Sequence, residues 1–353
     1  MKTEKSIQIG VIGAGWWATF AHIPAVRAHP NGRLVAVHSR NGDDARRIAR
    51  DFGIPHAFTS VDDLLALECV DAVIIASTPN MHYEHALAAL HAGKHVLLEK
   101  PMTFTAAQSA RLCELAASMG LELIVSCPWH YTAHAIAARK LIIDGAIGRV
   151  KMISVLMTNP IDKLLKGINT SPTFGMSDVY CEPCPGSYND PAIAGGGQIY
   201  CQVSHAAAYW SHLTGKRPAE VFARFDNDGS VNDIYDTLNV KMEDGCLVSL
   251  ATTGATAEAG KAYEVRIFGG TGTIHLELWQ GTMSIHWFDG NSEEFPPIAA
   301  GETYPAAAPA GNLIDVLAGR APNLSPGVFG HAAMEVIEAA CQSAASGRNI
   351  VIR

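Results

Sequence analysis

Ser6-Ile7-Gln8-Ile9-Gly10-Val11-Ile12 runs straight into Gly13-Ala14-Gly15-Trp16-Trp17-Ala18, and this stretch decides the fold of the chain. The apolar run has the length of a strand buried on both faces. Gly13-x-Gly15-x-x-Ala18 then fits a turn that brings backbone N–H groups up to a pyrophosphate at a helix N-terminus. Gly13 serves the tight bend, Gly15 the close approach of the backbone, and Ala18 the packing of helix on strand. Trp16 and Trp17 stand where the helix starts. A glycine turn joining any strand to any helix can carry the same letters, so the motif takes its meaning from the residues C-terminal to it.

Those residues alternate between strand and helix. Ala18 to Ala28 fits a helix, and Leu34 to His38 fits a second buried strand that ends in Ser39-Arg40-Asn41. In a dinucleotide fold this junction meets the adenosine ribose, where an acidic residue would bind the 2′-hydroxyl and repel a 2′-phosphate. Here Ser39 is followed by Arg40. Either Arg40 meets a 2′-phosphate, which favours NADP over NAD, or it stacks on adenine or faces solvent. Asp43 to Phe52 is a helix, and Val61 to Leu67 is another, opened by Ser60 as N-cap. The strand Asp71 to Ala76 ends in Ser77-Thr78-Pro79-Asn80-Met81-His82, a loop at a strand's carboxyl end, where open α/β sheets bind ligands. After the helix Tyr83 to Ala92, the strand His95 to Leu98 stops at Glu99-Lys100-Pro101. A lysine so placed can serve in proton transfer.

Length and composition bound the alternatives. The 353 residues suggest two domains, and 48% hydrophobic with 17% charged residues describes a chain that folds to a packed core. A net charge of −8 without a basic run argues against nucleic acid. The apolar runs are strand-sized, so no membrane partner is expected. Eight scattered cysteines and the absence of a secretory pattern point to reduced thiols in a cytoplasm. Cys181-Glu182-Pro183-Cys184 lacks a second pair at zinc spacing, so no metal is expected. The sequons at Asn169 and Asn323 carry little weight in that setting.

With the glycine turn, Ser77-Thr78-Pro79-Asn80 and Glu99-Lys100-Pro101 in place, the chain resembles the Gfo/Idh/MocA family (glucose–fructose oxidoreductase, inositol dehydrogenase). The resemblance implies that Lys100 lies beside the nicotinamide of NAD or NADP and takes part in catalysis. It also implies an N-terminal Rossmann domain with a doubly wound parallel sheet, over residues 1–127. An α+β substrate-binding domain with an open, mostly antiparallel sheet is expected over residues 128–353, together with a homo-oligomer, dimer or tetramer, formed through that sheet. Gly13, Gly15, Trp16, Trp17, Ser39, Arg40, Ser77, Thr78, Pro79, Asn80, His82, Glu99, Lys100 and His130 are the expected cofactor-side residues.

The rest of the chain continues to match. Phe104 to Met119 reads as a long helix and Leu121 to Ser126 as the last strand of the first domain. In Cys127-Pro128-Trp129-His130-Tyr131, His130 stands where the family often carries an Arg; it contacts nicotinamide or substrate, or packs in a domain junction. Trp129 is a substrate-side candidate. Thr158 to Ala194 reads as an irregular cover on the substrate side, with Tyr180, Tyr188 and Asn189 as candidate contacts. Gly195-Gly196-Gly197 opens a helix on which Cys201 and His205, four apart, share a face. The family pattern has an Asp where Cys201 stands. His205 then holds a substrate oxygen while Lys100 handles the proton, and Cys201 reads as a small buried residue rather than a nucleophile. Six strands between Ala219 and Trp287, a loop from Ala299 to Ala310, and a helix from His331 to Ser346 complete the reading.

The expected activity is that of an NAD(P)-dependent oxidoreductase acting on a secondary alcohol or ketone of a sugar, polyol or glycoside. Two rivals stay open: glycoside cleavage by transient oxidation with a recycled NAD, and a cofactor-sensing regulator without turnover.

Overall fold

In the computed structural model, which describes residues 6–168, 179–184 and 186–352, β1 (Ile7–Ile12) lies at the centre of a parallel six-stranded sheet. Its companions are β2 (Gly32–His38), β3 (His56–Phe58), β4 (Ala72–Ile75), β5 (His95–Leu98) and β6 (Leu123–Val125), in the order 3-2-1-4-5-6. All pairings in this sheet are parallel. Residues 72–75 of β4 are fully buried, as strands covered on both faces must be. Ile7, Ile9, Ile74 and Leu97 pack with Val26, Leu313 and Ile314. Gly10 faces the opposite way, against Leu64, where an added Cβ would sit 2.9 Å from Leu64 Cδ2.

Local signals place the helices. Asn41 Oδ1 accepts hydrogen bonds from the N–H groups of Asp43 and Asp44 and starts the helix Gly42–Phe52. Ser60 caps Val61–Leu65, and Thr105 with Gln108 forms a capping box on Ala106–Met119. The helix after the glycine turn contains a π-helical turn, Ala18–His22, before Ile23–Ala28.

The second sheet has nine strands among the described residues. They are β7 (Met152–Thr158), β8 (Pro218–Asp226), β9 (Tyr235–Met242), β10 (Leu247–Thr253), β11 (Ala262–Phe268), β12 (Gly272–Glu277), β13 (Thr282–Trp287), β14 (Ser292–Glu294) and β15 (Ile350–Val351). Their order is 14-13-12-11-7-10-9-8-15, and every pairing is antiparallel except β7 with β10. Burial alternates strictly along β9 and β10, as expected for a sheet with one covered face.

By its internal contacts the chain divides into two compact units. One comprises Met1–Ser126, Ser171–Cys184 and Ala306–Gly330; the other comprises Cys127–Thr170, Pro185–Pro305 and His331–Arg353. Tyr180 therefore belongs to the first unit. Its hydroxyl donates to Asp51, its ring meets Phe52, and the Arg47 guanidinium lies 4.8 Å from its centroid.

Three readings of local structure need correction. The stretch 158–194, expected to be irregular, contains the helical turns Asp162–Leu165, Gly186–Asn189 and Pro191–Ala194; Asp190 caps the last of these, with Pro191 at its first position. The loop expected from Ala299 to Ala310 gives way at Ala308 to a helix, Ala308–Leu317, whose opening Ala-Pro-Ala hides a helix start. β14 is a short polar edge strand without apolar alternation. The sequon at Asn169 lies outside the described residues.

Candidate functional site

Within the first unit, the candidate site is the glycine turn at the carboxyl end of β1. The order of the sheet reverses between β1 and β4, the switch point at which such folds take a nucleotide. Gly13 has φ +85°, and a Cβ there would overlap the backbone of Ser77. Only glycine fits. The N–H groups of Gly13 and Ala14 donate to the carbonyl of His38 at 3.1 Å, which ties the turn to the end of β2. Gly15 differs. No atom lies within 4 Å of the place where its Cβ would be, so the turn presents bare backbone to open space. Ser39 and the exposed Arg40 come next at the end of β2, where Ser39 Oγ accepts from Asn41 N.

Ser77, Thr78, Pro79 and Asn80 leave β4 as a partly exposed turn closed by a bond from Thr78 Oγ1 to Asn80 Oδ1 of 2.7 Å. His82 is buried beneath it. Its Nδ1 is 2.7 Å from the Pro101 carbonyl and its Nε2 is 3.0 Å from the Ser77 carbonyl, so the ring couples the loop after β4 to the loop after β5. Only an imidazolium could donate to both carbonyls, yet burial disfavours that charge and lowers the His82 pKa. His85, not singled out from the sequence, lies 3.0 Å from Ser77 Oγ with its pKa lowered to about 4, mainly by burial and then by His38.

Glu99 and Lys100 end β5 with opposite side-chain environments. Glu99 is buried; Oε1 accepts from Trp17 Nε1 at 2.8 Å and lies 2.8 Å from His22 Nε2, and Oε2 accepts from the N–H of Lys100 at 3.2 Å. Burial, the largest single influence, would raise its pKa, but the hydrogen bond and charge of His22, with Ser126 and the Lys100 charge, together hold the carboxyl below its ordinary range. Lys100 is partly exposed. Trp16 sits edge-on to Trp17, with ring centroids 5.1 Å apart.

These residues fit a dinucleotide: a glycine that admits no side chain, a second glycine open to an approaching phosphate, and small hydroxyl and amide groups on the neighbouring strand ends.

A separate group of the expected site residues is built within the other unit. Gly197 opens the helix of His205 against the Asn232-Asp233 turn, where a Cβ on Gly197 would overlap the Asp233 carbonyl. The Asp233 carboxylate accepts from Gly197 N at 2.9 Å and Ile199 N at 2.6 Å, and its carbonyl accepts from Gln198 N at 3.0 Å. Asn232 Nδ2 donates to the carbonyls of Tyr188 and Asn189, so one turn holds both the helix and the Tyr188 segment. Asp236 lies deep beside Asp233; burial, with the charge of Asp233, pushes its pKa up to about 10. The sequence offered no signal for this clamp, since Asp233 is one of several acids around a polar loop, 36 residues from Gly197.

The helix begins with a π-helical turn, Ile199–Val203, and continues as Ser204–Thr214. Cys201 packs against Ile161, Leu165 and Ile234, whereas the buried His205 ring meets Trp129 edge-on at 5.1 Å. The two residues thus have different neighbours. His130 is wholly buried and stacks on His212, centroids 4.3 Å apart and planes 13° from parallel; burial, then His212 and His205, drives its pKa well down.

Cys181 is partly exposed and Cys184 exposed, and among the described residues no three His, Cys, Asp or Glu side chains are grouped to hold a metal ion. No helix of the described residues is long and apolar enough to cross a membrane.

Comparison with known proteins agrees with this geometry. Residues 7–127 match the Gfo/Idh/MocA oxidoreductase family with its NAD-binding Rossmann fold, and residues 135–275 match the Gfo/Idh/MocA C-terminal domain. An uncharacterized oxidoreductase of Synechocystis is 27% identical over 78% of this chain and 73% of its own length. A dTDP-3,4-didehydro-2,6-dideoxy-alpha-D-glucose 3-reductase of Streptomyces violaceoruber is 40% identical, over 45% of this chain and 46% of that protein, so the match spans about half of the reductase. Levoglucosan dehydrogenase, solved with NADH and L-sorbose, shares the fold with a TM-score of 0.81 at 20% identity, covering 99% of both chains. The chain is an NAD-binding oxidoreductase of the Gfo/Idh/MocA family.

Proposed function

We propose that the chain transfers a hydride between the nicotinamide of NAD or NADP and a secondary alcohol or ketone of a sugar, polyol or glycoside. The observation that carries this reading is the pair of glycines at the end of β1, one closed against Ser77 and the other open, at the switch point of the sheet. The likeness to a dTDP-sugar reductase and to levoglucosan dehydrogenase supports a sugar-like substrate. When bound, the dinucleotide supplies the hydride acceptor or donor. Gly13 and Gly15 shape its phosphate cradle, Ser39 and Arg40 lie on the ribose side, and Ser77, Thr78, Pro79 and Asn80 line the neighbouring strand end. Lys100 takes the hydroxyl proton during oxidation and returns it during reduction. His205, fixed against Trp129, holds and polarises the same oxygen.

The exposed face of the second sheet carries Met152, Leu156, Tyr235 and Leu247, and supports assembly with a second copy through that face. Leu156→Glu with Leu247→Glu is expected to lower the mass seen by light scattering to that of one chain.

The activity is tested by incubating the protein with NAD or NADP and a panel of polyols, aldoses and glycosides while following reduced nicotinamide and sugar products. Net NAD(P)H is the expected result. Cleaved glycoside without net cofactor change would instead establish redox-assisted cleavage, and ligand binding with no product at all would overturn the reading.

A further inference from the structure

Within the unit that holds His205, three aromatic side chains and one cation form a connected cluster that begins at the imidazole. Trp129 is buried, with its ring edge-on to His205 at 5.1 Å, to Trp279 at 5.1 Å and to Tyr304 at 4.6 Å. In front of it Trp279 and Tyr304 are both partly exposed, with centroids 5.7 Å apart, and Tyr304 is 6.4 Å from His205. Lys261 Nζ lies 3.6 Å from the centroid of Trp279. Strand geometry accounts for the arrangement: Lys261 precedes β11 and Trp279 comes just after its partner β12, so the two end up side by side at one end of that antiparallel pair.

Two features of this cluster lack a protein explanation. The Lys261 ammonium is half-buried, yet no described residue forms an ion pair or side-chain hydrogen bond with it; the nearest opposing charge that acts on it is Glu258, one turn earlier on the same segment. The Trp279 Nε1 donor is likewise buried with no acceptor among the described residues. Meanwhile the helix carrying His205 contributes no counter-charge, because residues 195–215 contain neither Asp nor Glu. Burial lowers the Lys261 pKa, so the ammonium is a cation held at a cost that a ligand anion would relieve.

We propose that Tyr304, Trp279 and Lys261 form a substrate subsite beside His205 that takes a sugar ring bearing one acidic substituent, a carboxylate or a phosphate. The proposal rests on the reading of His205 as the residue that holds the substrate oxygen. Tyr304 and Trp279 present aromatic surface to the C–H face of the ring. Lys261 pairs with the acidic group from its place over the Trp279 ring.

Binding separates this subsite from the hydride-transfer reading. Isothermal titration of the NAD-loaded protein would use D-glucuronate, D-glucose 6-phosphate and methyl β-D-glucopyranoside as probes, and the first two separate carboxylate from phosphate. At least one anionic sugar is expected to bind about tenfold or more tighter than the neutral glycoside, the scale of one charge-assisted hydrogen bond. That preference is expected to vanish in Lys261→Met, which keeps the apolar stem, and to persist in Lys261→Arg. Tyr304→Ala is expected to weaken the anionic and neutral rings alike. Equal affinity for charged and neutral sugars, a preference that survives in Lys261→Met, or no binding by any of the three would overturn the subsite. Binding with the expected preference but no cofactor reduction would keep the subsite and remove the dehydrogenase reading; reduction supported only by neutral sugars would do the reverse.

Discussion

Oε1 of Glu99 lies 2.8 Å from Nε2 of His22, and both side chains are buried, so the residue directly before Lys100 is anchored inside the first unit rather than turned outward. Trp17 Nε1 donates to the same oxygen, and the Lys100 N–H donates to the other. One carboxylate thereby joins the helix after the glycine turn to the loop that carries Lys100.

Removing that carboxylate is expected to cost about 3–5 kcal/mol in Glu99→Ala, the usual range when one partner of a buried pair is deleted. Urea titration at neutral pH measures it. The folded-state pKa of Glu99 lies below its unfolded value, so its contribution is present above the unfolded pKa and fades as pH falls through the folded one. Wild type should therefore lose stability on acidification more steeply than Glu99→Gln. Parallel acid profiles would contradict this account of Glu99.

Gly13 and Gly15 separate folding from cofactor binding. Gly15→Ala meets no protein atom, so its thermal midpoint should stay near that of wild type while NAD affinity drops by about tenfold or more, because the methyl group occupies the phosphate approach. Gly13→Ala meets the Ser77 backbone at φ +85° and should lose stability as well. Calorimetry on both variants reads the difference.

Asp236 has the opposite sign to Glu99. Its folded pKa is raised to about 10, so between the unfolded carboxyl value and that pH the native state holds a proton the unfolded chain has lost. Stability contributed at this site falls as pH rises. Asp236→Asn keeps the shape without the ionisation, and should raise the Tm by a margin that grows from pH 5 to pH 8. A margin that shrinks over that range would place the proton elsewhere. Asp233→Ala, which strips two N–H acceptors from the start of the His205 helix, should lower stability by about 2 kcal/mol or more.

Much of the first unit was legible in the sequence because it repeats one pattern. Short apolar runs such as Ala72-Val73-Ile74-Ile75 end in polar turns, and Gly13 and Gly15 mark where the sheet reverses. The helix cap at Ser60 obeys a rule that acts within four residues. What escaped was long in range or plain in composition. The Asp233 clamp joins residues more than thirty positions apart, the His22–Glu99 pair joins residues 77 apart, and the helix Ala308–Leu317 begins in an Ala-Pro-Ala run that reads as loop. Cys201, read as a small buried residue, is only partly buried, with Ile161, Leu165 and Ile234 packed on its inner side.

Single-turnover hydride transfer in Lys100→Ala, compared with wild type in the presence of the sugar identified by the substrate panel, tests the central claim most directly. NAD(P) affinity measured by titration is expected to stay within about threefold of wild type, while the transfer rate falls by about 10² to 10⁴, the range that a positioned acid–base group supplies. Transfer at the wild-type rate by a folded, cofactor-loaded Lys100→Ala protein would remove Lys100 from the chemistry and contradict the account.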